Sequence, residues 1–142
     1  MLNSLTTPSG VGILPHRAKS KTNLSHHLPL GERIWAEIDL KRMKENIRRI
    51  KNFSRAKNIL LAIKADAYGH GAKEIASYLQ REVTYFGVAS VEEGISLREN
   101  GTDWAKILVL SPIPYEKIPL LFQYRLIPTV TERETLSLLV KE

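Results

Sequence analysis

Two side chains in the stretch LLAIKADAYGHG (60–71), Lys64 and Tyr68, are of the types and spacing that could do chemistry. An apolar run ends on the lysine, small residues follow, and the tyrosine precedes a Gly-His-Gly turn. In an extended segment side chains alternate, so Leu60, Ala62 and Lys64 share one face and Leu61 and Ile63 the other. The lysine then stands at the carboxyl end of a strand, where barrels and open α/β sheets gather their functional groups. Against an apolar wall its amine would be desolvated, which favours the neutral form and a nucleophile toward an aldehyde. Ala62, one step below, leaves room for a planar ring. Tyr68 lies in the loop beyond, its hydroxyl able to donate to a phosphate oxygen, and Gly69 and Gly71 permit the tight turn. His70 is either a third functional group or a cap for that turn. The same spacing also suits a lysine that merely reaches into solvent.

The elements that must position these residues follow from periodicity. IWAEIDL (34–40) reads as a strand, with Asp39 capping a helix in which Leu40, Met43, Ile47 and Ile50 face inward and Lys41, Lys44, Arg48 and Lys51 are solvated. NILLAIK (58–64) reads as a second strand, apolar enough to be covered on both faces. A helix follows over about 72–80, then a strand YFGVAS (85–90) and a helix over 91–100 stopped by Gly101. KILVLS (106–111) is the fourth strand, followed by a proline-bearing loop and a short helix near 115–122. LIPTV (126–130) is the fifth, with Thr131 capping a helix that turns Leu136, Leu139 and Val140 inward. Five strand–helix units imply a parallel sheet, either an open doubly wound one or part of a (β/α)8 barrel. A dinucleotide fingerprint is missing, which weakens the open sheet. A whole barrel needs about 250 residues, so the 142 residues supply about five of its eight units. Ending on Lys141-Glu142 within or just after a helix, the chain reads as truncated before the remaining strands.

Composition narrows the partners. Of a net charge of +6, half comes from residues 1–31, which hold Arg17, Lys19 and Lys21 and no acid. That Ser/Thr/Pro/Gly-rich segment reads as a flexible basic extension, and residues 32–142 as the folded part. The remaining 111 residues carry 18 basic and 15 acidic side chains, too balanced for a nucleic-acid surface. With no cysteine, disulfides and thiolate metal sites are excluded; His16, His26, His27 and His70 form no ligand set. No apolar run reaches the roughly 18 residues of a membrane helix, and no secretory signal opens the chain, so a cytoplasmic protein is expected. Glu92 and Glu93 are neighbours that diverge on a helix and so are no paired-carboxylate site, and Trp35, Trp104 and Tyr85 read as packing.

The word IKADAYGHG resembles the cofactor-lysine signature of alanine racemases, pyridoxal-phosphate enzymes of the fold-type III barrel. WAEIDLKRMKENI (35–47), FGVASVEEGISLRENG (86–101), ILVLSPIP (107–114) and LIPTVTERETL (126–136) resemble further units of that family in its order. Ser111-Pro112-Ile113-Pro114 departs from the glycine-containing turn usual there. The resemblance implies an α/β fold that is part of a TIM (β/α)8 barrel, and PLP-dependent interconversion of L- and D-alanine for peptidoglycan. It makes Lys64 the catalytic Schiff-base lysine for pyridoxal 5′-phosphate and Tyr68 the donor to the cofactor phosphate. The family works as a homodimer whose opposite-face tyrosine comes from the partner's C-terminal domain. That tyrosine and the later-strand cofactor contacts fall beyond Glu142, so this chain alone is expected to be inactive. A non-catalytic pyridoxal-phosphate protein, a decarboxylase of similar fold and a truncated non-functional reading frame are the alternatives.

Overall fold

The computed structural model describes residues 36–141. The expected basic extension over 1–31, Trp35 and the histidines at 16, 26 and 27 lie outside them. Helix α1 spans Leu40–Ser54, and its start is fixed by Asp39, whose carboxylate accepts from the Arg42 amide at 2.9 Å. Strand β1 is Leu60–Ala62, followed by a short helical segment α2 (Lys64–Gly69) and helix α3 (Ala72–Leu79). Then come β2 (Tyr85–Val88), α4 (Val91–Glu99), β3 (Lys106–Val109), a 3-10 turn (Tyr115–Lys117), α5 (Ile118–Gln123), β4 (Leu126–Pro128) and α6 (Arg133–Leu139).

The four strands are all parallel and lie in the order β1-β2-β3-β4. A doubly wound sheet reverses its strand order and carries helices on both faces; this one does neither. Phe86, Val88, Ile107, Val109 and Leu126 point to one face and are buried in a single core with Ile75, Leu79, Val91, Leu97 and Leu121 of the helices. On the other face Lys106 is exposed, and Leu60 and Leu110 keep 43% and 37% of their surface. Helices outside and an open inner face are the wall of a (β/α)8 barrel, which decides between the two folds that periodicity allowed.

Several expectations change. Ala36–Asp39 are not a strand, and Leu40 is already helical. A strand exists only through a ladder partner, and the described part of that segment has none; the alternation in its sequence was insufficient. The sheet of described residues therefore has four strands. Ile50 is 60% exposed rather than inward, beyond the reach of the core that Ile47 enters. Lys44 and Arg48 are not free solvated cations: both meet the Glu82 carboxylate at 2.8 Å, tying α1 to the turn before β2. Hydrogen bonds from Arg48 first and Lys44 second, with their charges adding to them, hold Glu82 down at about 2. The cap of α6 is Glu132, not Thr131, and the helix buries Thr135 while leaving Leu136 and Val140 exposed. Trp104 is also exposed, stacked by the Arg81 guanidinium 4.1 Å from its ring centre. Tyr85, half-buried, lies under the Lys106 ammonium.

Candidate functional site

Lys64 stands at the carboxyl edge of the sheet, one step later than the alternation of NILLAIK implies. β1 ends at Ala62, and Ile63 leaves the extended conformation at ψ 25° while its amide still donates to the Gly87 carbonyl at 2.8 Å. Lys64 is thus the first residue of α2 and not the last of the strand. It is exposed, so no apolar wall among the described residues desolvates it. Among the described residues its ammonium makes no ion pair.

The next four residues turn left-handed. Ala65, Asp66, Ala67 and Tyr68 have φ between 50° and 57°, and Gly69 and Gly71 follow at 82° and 88°. Only glycine adopts this region without a Cβ clash. Each L-residue there costs roughly 1–2 kcal/mol, so four cost about 4–8 kcal/mol before compensation. Such strain persists where surrounding contacts over-determine the backbone, and it clusters at functional sites.

Those contacts can be named. Within the turn, the Ala67 amide donates to Ile63 O at 2.9 Å and the Gly71 amide to Asp66 O at 3.0 Å. The Asp66 carboxylate accepts from the Ala72 amide at 2.7 Å, supplying α3 with the cap that its own N-cap residue, Gly71, has no side chain to give. His70 closes the turn: its Nδ1 lies 2.8 Å from Ala67 O, a contact that requires the proton on that nitrogen. Of the two roles open to His70 in the sequence, capping is the one its contact serves. The Ala67 methyl is buried in the core and anchors the middle of the turn.

The third tether is Glu93, which the sequence reading set aside. One carboxylate oxygen accepts from the Ala65 amide at 3.0 Å and the other from the Ala89 amide at 2.8 Å. Glu93 sits in the first turn of α4, whose cap Ser90 accepts from the Glu93 amide at 3.3 Å. Ser90-Val-Glu-Glu93 is the S-x-x-E pattern of a capping box, a signal legible in the sequence. Here the carboxylate reaches past the cap to the end of β2 and across to the turn after Lys64. Glu92 beside it instead pairs with Lys117, which lowers its pKa.

Beneath the turn the inner face is small. Ala62 and Gly87 are register partners, and a Cβ on Gly87 would meet the Leu60 and Leu110 side chains at 3.1 Å. Tyr68 is 59% exposed and lines a cleft of about 510 Å³ between α1 and β1 that also takes in Arg42, Asn46 and His70. Lys64 does not line that cleft, so the structure sets the lysine and tyrosine on one turn without gathering them into one cavity. A second cleft of about 350 Å³ lies between the Pro112–Tyr115 loop and the Thr131–Thr135 segment, where the Tyr115 hydroxyl donates to Glu132 at 3.1 Å. The Glu132 carboxylate raises the Tyr115 pKa. No helix among the described residues is long and apolar enough to cross a membrane.

Comparison with known proteins agrees with this arrangement. Residues 38–142 match the family model described as alanine racemase, N-terminal domain. An alanine racemase of Carboxydothermus hydrogenoformans is 43% identical over 102 residues, covering 71% of this chain and 27% of that protein. The crystal structure of alanine racemase from Oenococcus oeni superposes with a TM-score of 0.66 at 31% identity, over 72% of this chain and 28% of the other. An alanine racemase structure from Clostridium difficile 630 gives 0.62 at 38% identity, over 70% and 26%. The chain therefore spans about a quarter of the length of the relatives it matches. With the strand order, the one-sided helices and this match in hand, the chain belongs to the alanine racemase family, its described residues forming part of that family's N-terminal barrel domain.

Proposed function

We propose that this chain carries the lysine half of a pyridoxal 5′-phosphate-dependent alanine racemase. The observation that supports it most is the exposed Lys64 at the carboxyl edge of a barrel wall, followed by a strained turn that three separate tethers hold. The residues present fit the cofactor. A primary amine can hold its aldehyde carbon, and the exposed Tyr68 phenol can donate to its phosphate. When bound, the cofactor supplies an electron sink that acidifies the hydrogen on the substrate's α-carbon.

Lys64 would have two roles: its amine would hold the cofactor, and it would move a proton at one face of the substrate's α-carbon. Tyr68 fixes the phosphate end, and the rigidity of its turn sets the spacing between phosphate donor and amine. Alanine is the substrate of this reading, the product D-alanine serves peptidoglycan synthesis in the cytoplasm, and the working assembly is a homodimer. The test is exchange of the α-hydrogen. With pyridoxal 5′-phosphate and alanine in deuterated water, the chain, which lacks the second base and is not expected to racemise, should still exchange that hydrogen on the lysine face faster than its Lys64→Ala variant. Equal rates would remove the lysine from the chemistry.

A further inference from the structure

We propose that Glu93 is a positioning residue for Lys64, acting through the backbone and never touching the substrate. The inference rests on the reading of Lys64 as the cofactor lysine. Its basis is the set of bonds around one peptide unit. Upstream of Lys64, Ile63 is fixed twice: its amide donates to Gly87 O at 2.8 Å, and its carbonyl accepts from Ala67 at 2.9 Å. Downstream, the Ala65 amide, which closes the Lys64–Ala65 peptide, has Glu93 as its acceptor at 3.0 Å. The second oxygen of the same carboxylate takes the Ala89 amide at 2.8 Å. One side chain therefore ties the peptide after the lysine to the end of the neighbouring strand β2.

A carboxylate suits this place for a chemical reason. Two N–H donors converge on it, and each needs an oxygen; glutamine offers one oxygen and turns an NH2 toward the other donor. Aspartate is one methylene shorter and cannot span both amides from the same position on α4. The helix start also favours the anion, through its unpaired amides and dipole. With the tether gone, the left-handed residues after Lys64 lose a contact that offsets their strain, and the amine is presented from a mobile backbone. Glu92 is the internal control: it sits on the same turn with the same charge, and it bonds Lys117 on α5's side, not the lysine turn.

The experiment uses the full 142-residue chain with Glu93→Gln, Glu93→Asp and Glu92→Gln. Amide hydrogen exchange is read at Ala65 and Ala89 without cofactor. In parallel, the chain is treated with pyridoxal 5′-phosphate and borohydride, and the share of pyridoxyl adduct on Lys64 against the other lysines is mapped by mass spectrometry. Glutamine keeps one acceptor, so loss of the other hydrogen bond predicts about tenfold faster exchange at one of the two amides in E93Q, and E93D, too short to span both, should likewise free at least one. The Lys64 share should fall in both Glu93 variants, while E92Q changes neither. Protected Phe86 and Ile107 amides in every variant establish that the fold survives. Unchanged exchange at both Ala65 and Ala89 in a folded E93Q overturns the tether. Released amides with an unchanged Lys64 share overturn its role in positioning. A wild-type chain without preference for Lys64 contradicts the cofactor reading instead, and the exchange data still decide the tether.

Discussion

Arg98 should be the most sensitive polar position in the chain. Its guanidinium is half-buried behind α4 and donates to four backbone carbonyls: Tyr124 at 3.0 Å, Arg125 at 2.9 Å, Ala105 at 3.1 Å, and Thr102. These carbonyls belong to the loop entering β3 and the loop entering β4, so one side chain sets where two neighbouring strands begin. Burial lowers the Arg98 pKa, the sign of a charge brought partly out of water for the sake of these bonds. Replacement by methionine keeps the stem and removes every donor. A hydrogen bond to a charged group contributes about 1.5–3 kcal/mol, but relief of the buried charge and water reaching the exposed carbonyls offset part of four such bonds. A net loss of about 2–4 kcal/mol follows. For a fold of this size each kcal/mol moves Tm by roughly 4–8 °C, so R98M should melt about 8–32 °C lower by far-UV circular dichroism. Lysine, with one ammonium in place of a planar fork, should recover less than half of that. An R98M chain melting within about 2 °C of wild type would refute the reasoning.

Three further outcomes follow from the geometry. Glu82 is held at about 2 by Arg48 and Lys44 against an unfolded value near 4.3, so its pairing stabilises the fold fully above pH 4.3 and is lost as pH falls through 2. Solvent screening reduces this to about 1 kcal/mol, and urea titrations of wild type and Glu82→Gln should differ by that much at pH 7 and converge near pH 2. Ala65→Gly should stabilise the chain slightly, by up to about 1 kcal/mol, because it removes a Cβ from φ 50° at an exposed position; a destabilised variant in the same titration would contradict the left-handed turn. Gly94→Ala should cost about 1–3 kcal/mol in thermal melts, since its Cβ would meet both Leu126 methyls at 3.0 Å inside the core.

Much of the fold was legible because it depends on short-range rules. Asp39 is a capping type placed before an amphipathic run, and it caps; Gly101 follows α4 at φ 80° and stops it. The apolar runs YFGVAS and KILVLS were read as strands, and they contain β2 and β3, whose Phe86, Val88, Ile107 and Val109 are buried on one face. Periodicity failed where a partner decides. The alternation of IWAEIDL promised a strand, yet its described residues have no ladder to join. Leu136 and Val140 kept helical spacing but sit on α6 beyond the core's reach. At the site, the glycines around His70 announced a tight turn, but nothing in residue type declares four consecutive left-handed residues, two of them alanine. Glu93 was missed for a similar reason. Its partners are backbone amides, one of them 28 residues away, and backbone groups leave no mark on a sequence.

The proposal that Lys64 holds the cofactor is tested most directly by one measurement. The chain is incubated with pyridoxal 5′-phosphate, reduced with borohydride, digested and mapped. Modification concentrated on Lys64, and absent from the peptide in Lys64→Ala while other lysines stay at background, is the predicted result. Label spread evenly over the surface lysines, with Lys64 no more modified than Lys41 or Lys73, would contradict it.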